Sequence, residues 1–145
     1  MAWEKDTEQE LLTRAIRAVE RETGLRPLVE RREVRLRDLT VDALVRLEGD
    51  RQTLPAEIKK WAQQANLGAL ANRVKQLPGE GLLVADYVNP RMASTLREQG
   101  VQFIDARGNT YINQPPVYVY VTGKRDEPAF MPTQDGIKRA FEQKA

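Results

Sequence analysis

Residues 81–88, "GLLVADYV", restrict the fold of this chain more than any other segment. The run is almost continuously apolar, which is typical of a strand that is covered on both faces of its sheet. The next segment, "NPRMASTLREQG", predicts a helix, because Asn89 is a good N-cap, Pro90 suits the first helical position and Gly100 ends the helix. A strand of this kind needs helices packed on both sides of the sheet.

The other segments supply the remaining parts of an α/β domain. Two more stretches carry apolar residues at helical spacing and predict helices over 7–23 and 65–77. The turn-like "EGDRQ" at 48–52 predicts a hairpin. Strands are predicted from alternating or continuous apolar residues over 32–39, 41–47, 53–61 and three short segments after residue 100. We therefore expect a three-layer α/β domain in which helices flank a central mixed sheet.

The composition limits the chemistry that such a domain can perform. The 145-residue sequence contains no cysteine and no histidine. Thiolate nucleophiles, disulfides and zinc–sulfur sites are therefore excluded, and so are the usual general base near neutral pH and the commonest nitrogen ligand for metals. Any reaction must depend on carboxylates, lysine, tyrosine, hydroxyl groups or a hard cation held by oxygen.

The start of the chain and its charge bear on location and partners. The segment "MAWEKDTEQELL" has acidic residues where a secretory signal has a basic head, and no stretch is long and apolar enough to span a bilayer. We expect a cytoplasmic protein without a membrane partner. The net charge of +2 permits an acidic partner such as nucleic acid, although it does not require one.

Three charged residues are predicted to meet at one end of the predicted hairpin. Glu57 and Lys59 project from the same face of their strand, because side chains alternate across a strand. Asp42 lies on the preceding strand, so its carboxylate is expected to approach Glu57. Asp42, Glu57 and the carbonyl of Ile58 would then hold Mg²⁺, an ion that lowers the pKa of a coordinated water and neutralises phosphate charge, while Lys59 orients the nucleophile. A solvent-facing set with a weak cross-strand ion pair is the alternative.

This pattern resembles the PD-(D/E)xK nuclease superfamily, which has the restriction-endonuclease-like fold. The resemblance is carried by Asp42, by "AEIKK" after a hairpin and by an acidic first helix, with Val41 standing where the motif has proline. It implies that a glutamate of the first helix also reaches the metal. Glu8 is the better match and Glu10 the substitute; the alternative is that both carboxylates only stabilise the helix N-terminus.

A longer stretch, residues 40–123, is similar to the AbiEi-type antitoxins of type IV toxin–antitoxin systems, which are transcriptional regulators. The similarity is carried by "GLLVADYVNPRMASTLREQGVQFIDARGNTYINQPPVYVYVTG". It implies a restriction-endonuclease-like domain over 1–123, followed over 124–145 by a linker and a short helix that begins a truncated winged-helix module. It also implies a cognate toxin or a second copy of the chain as a partner.

Several cationic and amide side chains are candidates for contacts with a phosphate backbone if they share one surface. A solvated basic face is the alternative for the cations, and a turn leading to the next helix is the alternative for the glutamine. The candidates are Arg35, Arg37, Lys60, Gln63, Arg73 and Lys75.

Two functions from different classes follow. The first is a nucleic-acid-binding, nuclease-like domain of an antitoxin-like regulator, with DNA as the expected partner. The second is an active Mg²⁺-dependent DNA endonuclease that uses Asp42, Glu57 and Lys59.

Overall fold

The computed structural model describes residues 2–125, with side chains described from residue 7 onward. Within this range the chain forms a mixed sheet and three α-helices. The helices are α1 (Ala2–Thr23), α2 (Leu67–Lys75), which follows a 3₁₀ turn at Gln64–Asn66, and α3 (Pro90–Glu98). The strands are β1 (Pro27–Leu36), β2 (Leu39–Leu47), β3 (Thr53–Lys59), β4 (Leu82–Ala85), β5 (Gln102–Asp105), β6 (Thr110–Gln114) and β7 (Val117–Val121).

The seven strands lie in the sheet in their order along the chain. β1, β2 and β3 form an antiparallel meander, and β5, β6 and β7 form another. The three central strands, β3, β4 and β5, are parallel, and α2 and α3 provide the crossovers that parallel pairing requires. The carboxyl ends of these three strands consequently lie at one edge of the sheet, where ligands usually bind in open α/β sheets.

Helices cover both faces of the sheet. α1 packs on one face through Leu11, Leu12, Ala15 and Val19, and the opposite face is covered by α2 and α3. All four residues of β4 are buried, which agrees with its continuous apolar sequence. The prediction of an α/β domain with a mixed sheet and flanking helices is therefore confirmed at this level.

Local signals in the sequence also match the structure. The Asn89 side chain accepts a hydrogen bond from the Met92 N–H at 2.8 Å and so caps α3 as predicted. β1 begins at Pro27, earlier than the predicted strand over 32–39. It is an edge strand with mostly exposed side chains and a register shift between Val29 and Arg31, so its first half lacks a regular apolar alternation.

The predicted linker and winged-helix start at 124–145 lies outside the described residues, apart from Lys124 and Arg125. Among the helices in the described part of the chain, none is long and apolar enough to cross a bilayer.

Candidate nucleic-acid interface at the open end of the β2–β3 hairpin

Strands β2 and β3 stop pairing directly beside Asp42. Their last paired residues are Ala43 and Ala56. Two residues further along β3, the N–H of Ile58 donates a hydrogen bond to Oδ2 of Asp42 at 2.7 Å. The side chain thus replaces a strand partner where the hairpin opens, and α1 secures the same position because Gln9 Nε2 donates to the Asp42 carbonyl at 3.2 Å.

Glu57 lies on the same side of the sheet as α2. It is only 8% exposed, and its Oε2 accepts a hydrogen bond from Arg73 Nε at 2.6 Å. The Arg73 side chain is itself 58% exposed, so the ion pair joins a nearly buried carboxylate to a solvent-facing cation. A buried charge normally has such a partner, because an unpaired carboxylate in the interior is strongly disfavoured.

One step beyond the Ala43–Ala56 pair, the antiparallel register places Asp42 opposite Glu57. Burial raises the pKa of Asp42 above its ordinary value, against the opposing effects of the Ile58 N–H and nearby cations. Burial also raises the pKa of Glu57, and repulsion from the Asp42 carboxylate raises it further. Lys59 is exposed at the end of β3, and its ammonium lowers the pKa of both groups. The structure therefore brings Asp42, Glu57 and Lys59 to one place.

This donor set suits a hard divalent cation. Each carboxylate commits one oxygen to the contacts above and has a second oxygen, and Mg²⁺ is commonly held by one or two carboxylates together with water and phosphate. Within residues 7–125, no group of three or more acidic side chains is arranged to hold a metal ion.

The predicted glutamates of the first helix differ in position. Glu8 is partly buried and lines an open cleft of about 230 Å³ together with Lys59, Lys60 and Trp61. Helix α1 thus carries Glu8 to the same edge of the sheet as the ammonium of Lys59. Glu10 is exposed, and it does not line this cleft.

The predicted phosphate contacts do not form one group. Lys60 and Gln63 line a second cleft of about 330 Å³ beyond the end of β3. Arg73 is paired with Glu57. The remaining three candidates are exposed but do not line either cleft: Arg35 and Arg37 at the end of β1, and Lys75 on α2.

Two features of the site were not predicted from the sequence. The first is that Arg73 is the counter-ion of Glu57, which depends on where α2 packs. The second is Glu33, which the β1–β2 register places opposite Asp42. Its negative charge raises the pKa of the Asp42 carboxyl group. Glu33 also has a positive φ of 51°. A non-glycine residue with this φ is uncommon in a strand, and such positions occur frequently at functional sites.

The Glu57–Arg73 pair is expected to compete with a divalent cation for the same carboxylate. Replacing Arg73 with alanine should tighten Mg²⁺ binding by about 1.4- to 5-fold, since a partly exposed ion pair is worth about 0.2–1 kcal/mol. Isothermal titration calorimetry measures this change. The matched control is Lys75→Ala, which removes an exposed cation from the same helix without touching Glu57. Equal affinities in the two variants would contradict the competition.

Comparison with known proteins does not identify the chain. No family model, curated protein or solved structure matches it. The functional interpretation therefore depends on the site and on the resemblances carried by its residues.

Proposed function

We propose that the chain is a nucleic-acid-binding domain with a restriction-endonuclease-like fold, belonging to an AbiEi antitoxin-like transcriptional regulator, and that its partner is DNA. The observation that carries this proposal is the Glu57–Arg73 ion pair at the open end of the hairpin. A nuclease-like site whose buried carboxylate is already neutralised by the protein is suited to holding a phosphate backbone without cutting it. The exposed Lys59 beside that carboxylate supplies positive charge for the contact.

The arrangement of elements supports the fold part of the proposal. A helix precedes three antiparallel strands, a second helix follows, and the next strand pairs in parallel with β3. In this proposal Asp42 on β2 and Glu57 with Lys59 on β3 supply the superfamily motif. The similarity of residues 40–123 to AbiEi-type antitoxins supports the regulator part, and with it a cytoplasmic location and a cognate toxin.

An active nuclease is the second candidate, and the convergence of Asp42, Glu57 and Lys59 favours it. A divalent cation held by the two carboxylates would supply Lewis acidity toward a phosphodiester. The chain itself would place the carboxylates through the Ile58 N–H and α2, and it would keep an ammonium next to the scissile phosphate through Lys59. Arg73 would have to share or leave Glu57 in this case.

Replacing Lys59 with alanine separates the two functions. For a binding domain we expect an affinity loss of about 3- to 10-fold at low salt, a smaller loss at high salt, and a decrease of about 1 in the slope of log K against log salt. For a nuclease, turnover would fall while most of the affinity remained. Fluorescence anisotropy with labelled DNA measures the first quantity, and cleavage of plasmid and branched DNA in Mg²⁺ or EDTA measures the second.

The control for this experiment is Arg51→Ala, which removes an exposed cation from the turn at the opposite end of the hairpin, away from both clefts. If the wild-type chain showed no salt-dependent association with any nucleic acid, the proposal would be contradicted. A role in protein–protein interaction would then be favoured. Cleavage that disappears in EDTA and in Lys59→Ala would favour the nuclease.

A further inference from the structure

Trp61 is an exposed aromatic side chain on a fixed loop. It is 67% exposed, the highest value among the large apolar side chains that are exposed in the described part of the chain. The loop is tied down by Asn66, whose Nδ2 donates to the Trp61 carbonyl at 2.9 Å and whose Oδ1 accepts from the Gln63 N–H at 2.8 Å. These two hydrogen bonds tie Trp61 and Gln63 to Asn66, and the indole lies exposed to solvent, where a large apolar side chain carries an unfavourable hydration cost.

The position of Trp61 is also distinctive. It directly follows Lys59 and Lys60, and it lines both clefts at the carboxyl ends of the parallel strands. One cleft contains Glu8 and Lys59. The other, of about 330 Å³, has the size of a small-ligand pocket.

The larger cleft combines the chemical groups that an unpaired nucleotide needs. Trp61 and Tyr87 provide aromatic rings, and the guanidinium carbon of Arg107 lies 5.0 Å from the centre of the Tyr87 ring. Lys60 contributes a cation for phosphate. The cleft also contains amide groups that can hydrogen-bond to base edges, from Gln63, Gln64 and Asn89.

The guanidinium group of Arg107 makes protein contacts through its two Nη atoms, whereas its Nε makes none in the described residues. Its Nη2 lies 3.5 Å from Oδ2 of Asp86, and its Nη1 donates to the Arg125 carbonyl. Its Nε is buried and has no hydrogen-bond acceptor within the described residues. Arg107 therefore contributes to the cleft mainly through its guanidinium face near Tyr87.

We infer that the larger cleft binds one unpaired nucleotide of a single-stranded segment, with its base stacked on Trp61 and its phosphate near Lys60. This role rests on the nucleic-acid-binding function proposed above and specifies the form of nucleic acid. Stacking on an exposed aromatic side chain is tolerant of sequence but requires a base that is not paired in a duplex. The wild-type chain should therefore bind an oligothymidylate more tightly than a duplex of equal length.

The test compares Trp61→Ala, Trp61→Phe and Tyr118→Ala in the full chain. Trp61→Ala is expected to weaken oligothymidylate binding by about 5- to 150-fold, which corresponds to the loss of one stacked base. Trp61→Phe should retain most of the affinity. Tyr118→Ala removes another exposed aromatic side chain, 53% exposed on β7 and outside both clefts, and should have no effect.

Two further measurements separate stacking from charge. In a Trp3→Phe background Trp61 is the single tryptophan, so its fluorescence should be quenched by oligothymidylate and much less by duplex. The salt slope should be unchanged in Trp61→Ala, which removes no charge, and smaller in Lys60→Ala.

The results also distinguish this inference from the proposed function. Unchanged oligothymidylate affinity in Trp61→Ala, together with a loss in Lys59→Ala, would overturn the stacking site and leave the binding function standing. A preference for duplex with no quenching of Trp61 would do the same. No binding of any nucleic acid by the wild type would overturn both.

Discussion

Replacing Asp105 with alanine is expected to destabilise the domain by about 4 kcal/mol or more. The carboxylate is completely buried and accepts four hydrogen bonds, from the N–H groups of Val88, Arg107 and Asn109 and from Asn109 Nδ2, at 2.8–2.9 Å. A buried donor left without an acceptor costs about 1–3 kcal/mol. The substitution removes the acceptor of two buried backbone N–H groups, those of Val88 and Asn109, while Asn109 Nδ2 keeps the Lys124 carbonyl. Urea denaturation followed by circular dichroism measures the loss.

The matched control is Asp38→Ala, which removes an exposed aspartate between β1 and β2 and should change stability by less than about 0.5 kcal/mol. Asp105→Asn should fall between the two, since it keeps one oxygen and replaces the other with a donor. A loss for Asp105→Ala no larger than for Asp38→Ala would contradict the structural role of the carboxylate.

The same residue has a defined pH dependence. Burial raises the pKa of Asp105 to about 6, against the four hydrogen bonds, which lower it. Because the folded-state pKa lies above that of the unfolded chain, the native state binds the proton more tightly. The stability of the wild type relative to Asp105→Asn should therefore be greatest near pH 4 and decrease as the pH rises through about 6. A difference that grows with pH would show that the four donors outweigh burial.

Asp105 also matters for the larger cleft. Its hydrogen bonds fix the backbone at Val88 and Arg107, next to the cleft residues Tyr87 and Asn89 and at the cleft residue Arg107 itself. A substitution at Asp105 that loosens these loops should weaken nucleotide binding in the larger cleft and also lower the stability of the fold. Trp61→Ala should weaken nucleotide binding alone, because Trp61 lies on a different loop, held by Asn66.

Asp42→Asn is the second change with a large expected effect. If the site holds Mg²⁺, as the nuclease candidate requires, this variant should lose Mg²⁺ affinity by about 100-fold or more. Substitution of a residue that only supports a metal ligand typically costs about 10- to 100-fold, and Asp42 would be a ligand itself. Asparagine keeps an oxygen for the Ile58 N–H, so the hairpin should stay intact while the negative charge is lost. Calorimetric titration with Mg²⁺ measures the affinity, and a thermal melt measures the stability.

Asp50→Asn is the control for this prediction. Asp50 lies at the opposite end of the same hairpin, and its carboxylate likewise accepts a backbone hydrogen bond, from Gln52 at 3.1 Å. The control variant should bind Mg²⁺ as the wild type does. Asp42→Ala should lose both the metal and about 1–2 kcal/mol of stability, because the Ile58 N–H then has no acceptor. Wild-type affinity in Asp42→Asn would show that Asp42 is not a metal ligand.

The sequence alone was sufficient for the order of elements and for the face on which the key residues lie. Alternation along β3 predicts that Glu57 and Lys59 project from one side, because side-chain direction within a strand depends only on local backbone geometry. The predicted hairpin turn at 48–52 adds the expectation that Asp42 approaches Glu57. The continuous apolar run of β4 predicts a strand covered on both faces, and the capping residues locate α3. These signals are local, and the structure contains the corresponding elements.

The tertiary structure decided which groups meet across large separations in the chain. Arg73 reaches Glu57 only because α2 crosses over that part of the sheet, and the two residues are 16 positions apart. Asp105 meets the Val88 N–H because β4 and β5 are parallel neighbours, and Trp61 stands between two clefts because three strands end at one edge. Such contacts depend on packing between elements rather than on the spacing within any one of them, so no periodicity in the sequence records them.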